Sequence, residues 1–331
     1  MNPELGAAYA ACEQLARSHY ENFPVASYLL PARMRPHVAA IYAFARIADD
    51  MADEGTRPAA ERLADLDRWG ARLDAALDSS APDGEPNAFV FVAIRHSIGT
   101  CRLPRELFHD LLSAFRQDVT VMRYATWESL LDYCRRSANP VGRLVLRVAG
   151  PGSWVDPSGL AEADAASDAV CTALQLTNFW QDLEIDWMKG RLYVPESVWR
   201  PAGAREADLA ARQLTPEWRA ALADVTRRTR ELFAEGRGVC DAVRGRLRYE
   251  LRATWLGGTR ILDKLETANL DMFARRPTLT KADVPAVLWG AIRWRQTRAS
   301  RAIGPAERRG PRSGSPARDA AGEPEGRRSS D

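Results

Sequence analysis

The sequence predicts an all-α protein of roughly ten helices. Ala, Leu, Arg and Glu dominate most of the chain, and the alternating β-branched pattern of strands is scarce. Apolar residues recur at helical spacing, and breaks rich in Pro and Gly separate the periodic stretches. The 331 residues, 46% of them hydrophobic, can bury a sizeable core in one large domain or two.

Two segments show the helical pattern most clearly. Residues 58–77 begin with a proline and repeat leucines at helical spacing. Residues 215–236 open on Thr215, a preferred N-cap residue, place Pro216 at the first helical position and end at a glycine. We therefore expect a long helix in each segment.

The charge balance gives no sign of a nucleic-acid partner, because 46 Lys and Arg face 44 Asp and Glu. Residues 304–331 differ from the rest, since they contain no Leu, Ile, Val, Phe or Trp. Such a segment cannot bury a core, so we expect a domain over residues 1–303 and a disordered tail over residues 304–331. The arginines of this tail could contact acidic lipid, although a solvated tail is the simpler expectation.

The cysteines and the apolar stretches bear on the cellular compartment. Five cysteines, an odd number without metal-ligand spacing, favour reduced and mostly buried thiols. The N-terminus lacks the basic start and apolar run of a signal peptide, and no uncharged apolar stretch approaches the ~18 residues of a membrane span. We expect a cytoplasmic protein, and peripheral contact with the inner face of the membrane stays open.

A first acidic motif lies in IYAFARIADDMADEG, residues 41–55. The apolar stripe that includes Val38 continues at helical spacing into Asp49 and Asp53, so two carboxylates share the predicted buried face of one helix. Arg46 precedes Asp49 by three residues. Unpaired buried carboxylates are unfavourable, and either Arg46 or a divalent cation would stabilise them.

A second acidic motif lies in NFWQDLEID, residues 178–186. Asn178, Asp182 and Asp186 are four residues apart, which keeps an amide and two carboxylates on one side of a helix over about 12 Å. Oxygen-only donors select hard cations such as Mg²⁺, which often shares its coordination shell with substrate phosphates. Two such columns facing each other would suit Mg²⁺ bound between the protein and a diphosphate.

The alternative for each column is a face exposed to water. An acidic pair four residues apart is usually solvated, and Asp182 and Asp186 could simply pair with Lys189 and Arg191. Two columns that both continue apolar stripes favour the metal site. Lys189 and Arg191 would also suit a diphosphate leaving group, while Gly190 can end the helix in a left-handed conformation.

Other candidate residues have ordinary structural explanations. His19 precedes a predicted break and could be structural, and Tyr133 could be a core tyrosine. Pro140 would kink the helix that contains it, and Gly142 would allow a partner or ligand to approach closely. Phe179 and Trp180 flank the second motif, but helical phase does not decide which of them faces a site.

These motifs resemble those of the squalene/phytoene synthase family. The first family motif, D-x-x-x-D, is complete in DDMAD, and the second, N-x-x-x-D-x-x-x-D, is complete in NFWQDLEID. YCRRSANPVG and KGRLYVP add to the similarity, which covers roughly residues 10–300. The resemblance implies a single all-α domain, the isoprenoid-synthase helical bundle with a central cavity.

The resemblance also implies the site residues. Mg²⁺ would be held by Asp49, Asp53, Asn178, Asp182 and Asp186. Diphosphate and substrate contacts would come from His19, Tyr42, Arg46, Tyr133, Arg191 and Tyr193, with Arg275 as a further diphosphate contact. Catalytic roles would fall to Asp49, Asp53, Tyr133 and Asp182. Tyr133 is also our candidate for the residue that places a water molecule.

Within the family, HYENFPVASYLLP and DWMKGRLYVP are most similar to bacterial hydroxysqualene synthases of hopanoid biosynthesis. These lyases ionise presqualene diphosphate, and water captures the rearranged cation to give hydroxysqualene. Gln181 stands where the family usually has Arg, and Ile185 where it usually has Glu. The loss of that Arg fits an enzyme that handles one diphosphate better than one that condenses two.

Two alternatives stay open. A presqualene diphosphate synthase, or a squalene or phytoene synthase, would be a prenyltransferase that condenses two prenyl diphosphates. A non-catalytic assembly factor on the same fold would be expected to have eroded motifs, whereas all five oxygen donors are retained here. The expected partners are a prenyl diphosphate and, downstream, a squalene-forming oxidoreductase.

Overall fold

The computed structural model describes residues 2–18, 29–53, 57–78, 84–156 and 158–295. These ranges contain fifteen α-helices: α1 (Pro3–Ser18), α2 (Arg35–Asp53), α3 (Ala59–Asp78), α4 (Ala88–Cys101), α5 (Glu106–Thr120), α6 (Trp127–Ser137), α7 (Asn139–Ala149), α8 (Leu160–Gln181), α9 (Leu183–Met188), α10 (Glu196–Trp199), α11 (Glu206–Ala210), α12 (Pro216–Gly236), α13 (Val239–Ala242), α14 (Gly245–Thr267) and α15 (Val284–Ile292). In the same ranges, strand-like pairing is limited to two isolated bridges. The all-α prediction is confirmed.

Two central helices carry the acidic motifs. α2 packs against α1, α3, α4, α5 and α7, while α8 packs against α6, α7, α12, α13 and α14. α7 contacts both central helices, and α5 and α6 pack against α7 and against each other. One hydrophobic cluster extends from Ala8 in α1 to Met272 beyond α14, so the helices around α2 and those around α8 share a single core.

The two helices predicted from local signals are present at the expected places. α3 covers the predicted segment to within one residue at each end. α12 begins at Pro216, and the hydroxyl oxygen of Thr215 accepts a hydrogen bond from the backbone N–H of Trp218 at 3.4 Å. N-cap chemistry therefore determines where α12 starts.

Pro140 and Gly142 have different outcomes. Pro140 lies in the first turn of α7, immediately after α6 has ended, so the prediction of a kinked helix is wrong. A first-turn proline loses no helical hydrogen bond, which explains why α7 is undisturbed. Gly142 lies against α8, where an added methyl group would clash with Ser167 Oγ and Cys171 Sγ. The expected close approach is therefore confirmed, and the partner is a helix.

The five cysteines are free thiols, as expected: three are buried and two are half-buried. Among the described helices, none combines the length and the apolar composition that crossing a bilayer requires. The predicted tail, residues 304–331, lies outside the described residues, as does His19.

Candidate active site

The first acidic motif lies at the C-terminal end of α2. Asp53 is the last residue of this helix, and Asp49 lies one turn earlier. The Asp49 side chain is 45% exposed and the Asp53 side chain 25%. The predicted buried face is therefore only partly right: the core side of α2 carries residues such as Phe44 and Ala48, and both acids line the more open side.

The second acidic motif lies where α8 gives way to α9. The Asp182 N–H donates to the Asn178 carbonyl at 2.8 Å, and the Asp186 N–H donates to the Asp182 carbonyl at 2.8 Å. These bonds carry the helical repeat across the short break at Asp182, so the three side chains lie on successive turns as predicted. Asn178 is exposed, and the two carboxylates are half-buried.

A glycine-centred turn follows α9 and redirects the chain. Gly190 has a φ of 80°, and the Arg191 N–H donates to the Asp186 carbonyl at 2.8 Å. This is the left-handed helix end that the sequence predicted. The turn brings the next residues against the segment that follows α5, where the Leu192 N–H donates to the Met122 carbonyl at 3.0 Å.

Lys189 and Arg191 connect the two acidic motifs. Lys189 Nζ lies 2.7 Å from Asp53 Oδ2, and Arg191 Nη1 lies 2.5 Å from Asp53 Oδ1. Arg191 Nη2 also donates to the backbone carbonyl of Asp118 at 3.1 Å. The alternative in which both cations pair within their own motif is therefore wrong; their salt bridges are made to α2, on the opposite column.

Electrostatics explains why the cations gather here. Both motifs occupy C-terminal ends of helices, where the last carbonyl groups already carry partial negative charge. Burial acts to raise the pKa of Asp53, but the hydrogen bond from Lys189 and the charge of Arg191 outweigh it and lower the pKa. Burial, with repulsion from Asp182 and Asp53, raises the pKa of Asp186 to about 7. The two columns are thus electrostatically coupled.

Arg46 and Tyr42 complete the α2 side of the site. Arg46 Nη2 lies 2.6 Å from Asp50 Oδ1, and Arg46 Nη1 lies 3.6 Å from Asp49 Oδ2. Although its side chain is partly open to solvent, the protein around the Asp49 carboxylate displaces enough water to raise its pKa to about 6; Arg46 opposes this, and Asp53 and Asp50 add repulsion. Tyr42 is half-buried one turn before Arg46, and burial raises its pKa as well.

Asp118 in α5 is a site residue that the sequence analysis missed. It is 9% exposed, and its Oδ2 accepts a hydrogen bond from the Tyr133 hydroxyl at 2.9 Å. Burial raises its pKa to about 7, against the hydrogen bond from Tyr133 and the charge of Arg191. The signal was available, because the stripe of Leu111 and Ala114 on α5 continues into Asp118 as the stripe on α2 continues into its acids.

An aromatic cluster adjoins these carboxylates. The rings of Phe179 and Tyr193 stack with centroids 3.7 Å apart, and both lie within 6.2 Å of the Tyr133 ring. Tyr124 lies 5.6 Å from Tyr133. Trp180 points elsewhere, fully buried with its indole N–H donating to a threonine of α12. Of the two aromatic residues that flank the second motif, it is therefore Phe179 that joins this cluster.

A further arginine reaches the second motif from the segment after α14. Arg276 and the neighbouring Arg275 are both exposed, and it is Arg276 that donates to both carboxylate oxygens of Asp182. The Gln181 side-chain amide donates to the Pro277 carbonyl at 2.5 Å and so holds this segment in place. The structure favours Arg276 over Arg275 as the cation of this segment.

The donor set has the chemistry for a hard divalent cation. Within the described ranges, no three Asp, Glu, His or Cys side chains converge on one point. The donors are nevertheless all oxygen atoms, they come from two columns at negative helix ends, and cationic side chains occupy the space beside them. This arrangement fits Mg²⁺ that completes its shell with a bound phosphate better than a closed protein cage.

The chain is similar in sequence to known synthases. The chain is 38% identical over 226 residues to a hydroxysqualene synthase of Zymomonas mobilis, covering 67% of this chain and 71% of that protein. It is 33% identical over 296 residues to a hydroxysqualene synthase of Rhodopseudomonas palustris, covering 88% and 94%. A 15-cis-phytoene synthase of Synechococcus elongatus is 29% identical over 278 residues, covering 82% and 88%.

A solved structure shows the same architecture. The squalene synthase HpnC from Alicyclobacillus acidocaldarius superposes with a TM-score of 0.72 at 39% identity, covering 82% of this chain and 97% of that chain. The model of the squalene/phytoene synthase family matches residues 16–283, a stretch that includes both acidic motifs, Asp118 and Arg276. The chain therefore belongs to the squalene/phytoene synthase family.

Proposed function

We propose that this protein is a Mg²⁺-dependent hydroxysqualene synthase, which ionises presqualene diphosphate and lets water capture the rearranged cation. The family acts on prenyl diphosphates. The observation that carries the proposal is the meeting of the two complete acidic motifs through Lys189 and Arg191 at Asp53. The hydroxysqualene synthases among its relatives support the choice of branch.

The leaving diphosphate would bind where cations now pair with carboxylates. Lys189, Arg191, Arg46 and Arg276 each contact an acid of the site, and each could turn to a phosphate oxygen. The carboxylates they release would hold Mg²⁺ together with the Asn178 amide. When bound, Mg²⁺ would neutralise the charge that develops on the departing diphosphate.

The aromatic cluster would receive the carbocation. Phe179 and Tyr193 are stacked on each other, so each could offer only its outer ring face to positive charge, and burial keeps bulk water from this region. The Tyr133 hydroxyl, held by Asp118, is the polar group of this cluster that we assign to positioning the water. Because Asp118 also meets Arg191 through its backbone, one residue links the diphosphate side of the site to the cation side.

Gln181 bears on the choice between one and two diphosphates. Its amide is neutral and already donates to the Pro277 carbonyl, so it brings no positive charge to a phosphate. Ile185, at the other unusual position of the motif, is 44% exposed and carries no charge either. The missing Arg at position 181 favours an enzyme that handles a single diphosphate.

A prenyltransferase is the second candidate, because a phytoene synthase also matches over most of the chain. Purified protein should be incubated with Mg²⁺ and either presqualene diphosphate or farnesyl diphosphate, and the products identified by gas chromatography and mass spectrometry. We expect hydroxysqualene only in the incubation with presqualene diphosphate. Hydroxysqualene would then be the substrate of a downstream squalene-forming oxidoreductase. If the protein converts farnesyl diphosphate alone to presqualene diphosphate or to a coupled hydrocarbon, it is a prenyltransferase and the proposed hydroxysqualene synthase activity is wrong.

Site variants separate catalysis from a scaffolding role. Asp49→Asn and Asp182→Asn should abolish turnover, while Glu235→Gln, which changes an exposed acid of α12, should leave it unchanged. If cells keep their hopanoids with either aspartate variant as the only copy, the protein acts as a non-catalytic assembly factor.

A further inference from the structure

Helix α15 turns an apolar stripe away from the protein. Val284, Leu288 and Ile292 follow one another at four-residue spacing, Trp289 lies beside them, and these side chains are 49%, 43%, 64% and 56% exposed. A surface helix normally buries its apolar stripe and presents polar residues to water. α15 has no polar side chain; its small residues Gly290 and Ala291 face α14, and among the described residues its large apolar side chains remain uncovered.

The rest of α15 is firmly anchored, so this exposure is not that of a loose helix. Asp283, immediately before the helix, is buried and accepts a hydrogen bond from Lys264 Nζ at 2.5 Å. Ala291 is 2% exposed against α14. Beyond the helix, the Trp294 indole N–H donates to Asp241 Oδ2 at 3.2 Å. The fold therefore holds the apolar stripe outward.

More exposed apolar residues lie towards the candidate active site. Leu279, just before α15, is 47% exposed, and it follows Pro277 by two residues. The hydrogen bond between Gln181 and Pro277 ties this segment to the start of α9, where Ile185 is 44% and Met188 74% exposed. Exposed apolar side chains therefore also lie beside the second acidic motif.

The charged side chains of the segment that carries α15 are almost all positive. In residues 279–295 the one acid is Asp283, which is buried and paired with Arg260 and Lys264, while Lys281, Arg293 and Arg295 are exposed. The Arg293 guanidinium lies 4.4 Å from the Trp289 ring. An apolar stripe edged with cations and a tryptophan matches the interface of an anionic bilayer, which offers acyl chains beneath negative headgroups.

The chain itself offers no good alternative cover from its C-terminal end. Residues 296–331 contain Ile303 as their one large apolar side chain. Residues 295–331 hold nine Arg against five acids, so the sequence that follows α15 has a net positive charge. The composition of this segment therefore suits the lipid headgroups better than the apolar stripe.

We propose that the α15 face, formed by Leu279, Val284, Leu288, Trp289 and Ile292, docks on an anionic lipid surface. The side chains would lie at the boundary between headgroups and acyl chains, with Arg293 and Arg295 on phosphate groups. This proposal rests on the exposed surface and its charge, and it stands whichever prenyl diphosphate the site converts.

Vesicle flotation with the full-length protein tests the proposal. Vesicles of equal parts phosphatidylglycerol and phosphatidylcholine should carry the protein upward in a density gradient, and vesicles of pure phosphatidylcholine should carry much less. Leu288→Glu with Ile292→Glu should weaken binding at least tenfold, on the order expected for losing two apolar anchors and adding two negative charges. The matched control is Ala7→Glu with Ala10→Glu, which adds the same charge on the exposed side of α1.

The outcomes decide between occupants. Retained flotation of the control with loss for the α15 variant supports docking through α15. If the wild type stays at the bottom, or if both variants float equally, the α15 face is not a lipid-docking surface. If the wild type ignores vesicles but sediments as a dimer that the α15 variant splits, the face is an interface between two copies. Far-ultraviolet circular dichroism and unaltered thermal melting confirm that each variant is folded.

Discussion

Replacing Asp118 with Asn should stabilise the metal-free protein at high pH. The Asp118 side chain is buried, and its pKa is about 7 in the fold against 3.8 as the ordinary value. A carboxyl group whose pKa is raised by folding stabilises the fold while it is protonated, and this contribution is lost as the pH rises through the folded pKa. The loss should therefore occur between about pH 4 and pH 7.

The expected size follows from the same pKa. A folded pKa of about 7 means that the free energy of unfolding falls by about 4 kcal/mol once Asp118 is fully charged. Local relaxation lowers the expected decrease to about 2–4 kcal/mol. Asn keeps the shape and an oxygen that can accept the hydrogen bond from Tyr133, but it never becomes charged. The free energy of unfolding should therefore be equal in the two proteins near pH 4 and higher in Asp118→Asn at pH 8.

Urea unfolding followed by circular dichroism in EDTA, at pH values from 4 to 8, measures this difference. Asp186, whose pKa is raised by groups other than Asp118, affects both proteins alike. Asp49 repels Asp118, and losing that repulsion should add to the same trend at high pH. Glu235→Gln should show no pH-dependent difference, because that side chain is exposed. A constant offset between Asp118→Asn and wild type, or a less stable variant at pH 8, would contradict the reasoning. The gain in stability should come with a loss of turnover, as is common at functional sites.

Three further predictions follow from single contacts. Arg191→Lys cannot keep both hydrogen bonds that the guanidinium makes to Asp53 and the α5 backbone, so kcat/KM should fall by about 10- to 100-fold in steady-state assays. Gln181→Ala removes the hydrogen bond that holds the segment carrying Arg276, and KM should rise by about two- to tenfold with little change in kcat. An unchanged KM would show that this hydrogen bond does not position the segment. Gly142→Ala should lower the free energy of unfolding in urea by about 1–3 kcal/mol because of its contact with α8, whereas Gly99→Ala, with open space around it, should be neutral or stabilising by up to about 1 kcal/mol.

Local chemistry made much of the fold predictable. The spacing of Asp49 and Asp53, and of Asn178 with its two aspartates, depends only on the helical repeat, and the structure keeps both columns. The start of α12 and the left-handed Gly190 follow equally from short-range signals. These features required no knowledge of which helices pack together.

Contacts between distant segments were beyond the reach of such signals. Lys189 pairs with Asp53, 136 residues earlier in the chain, while sequence proximity suggested Asp182 and Asp186 as partners. Asp118 has no second carboxylate or amide one turn away on α5, so it did not stand out as part of an acidic column although it continues an apolar stripe. Periodicity shows that an apolar stripe exists but does not tell whether that stripe is buried. The exposure of the apolar side chains of α15 could therefore not be predicted from the sequence.

The central claim is that the carbon–oxygen bond of presqualene diphosphate breaks and that water then captures the cation. Turnover in water enriched in oxygen-18, followed by mass spectrometry of the alcohol and of the diphosphate, tests this directly. We predict that the heavy oxygen appears in hydroxysqualene and that the released diphosphate is unlabelled. Label in the phosphate with an unlabelled alcohol would mean simple hydrolysis at phosphorus, and it would contradict the mechanism.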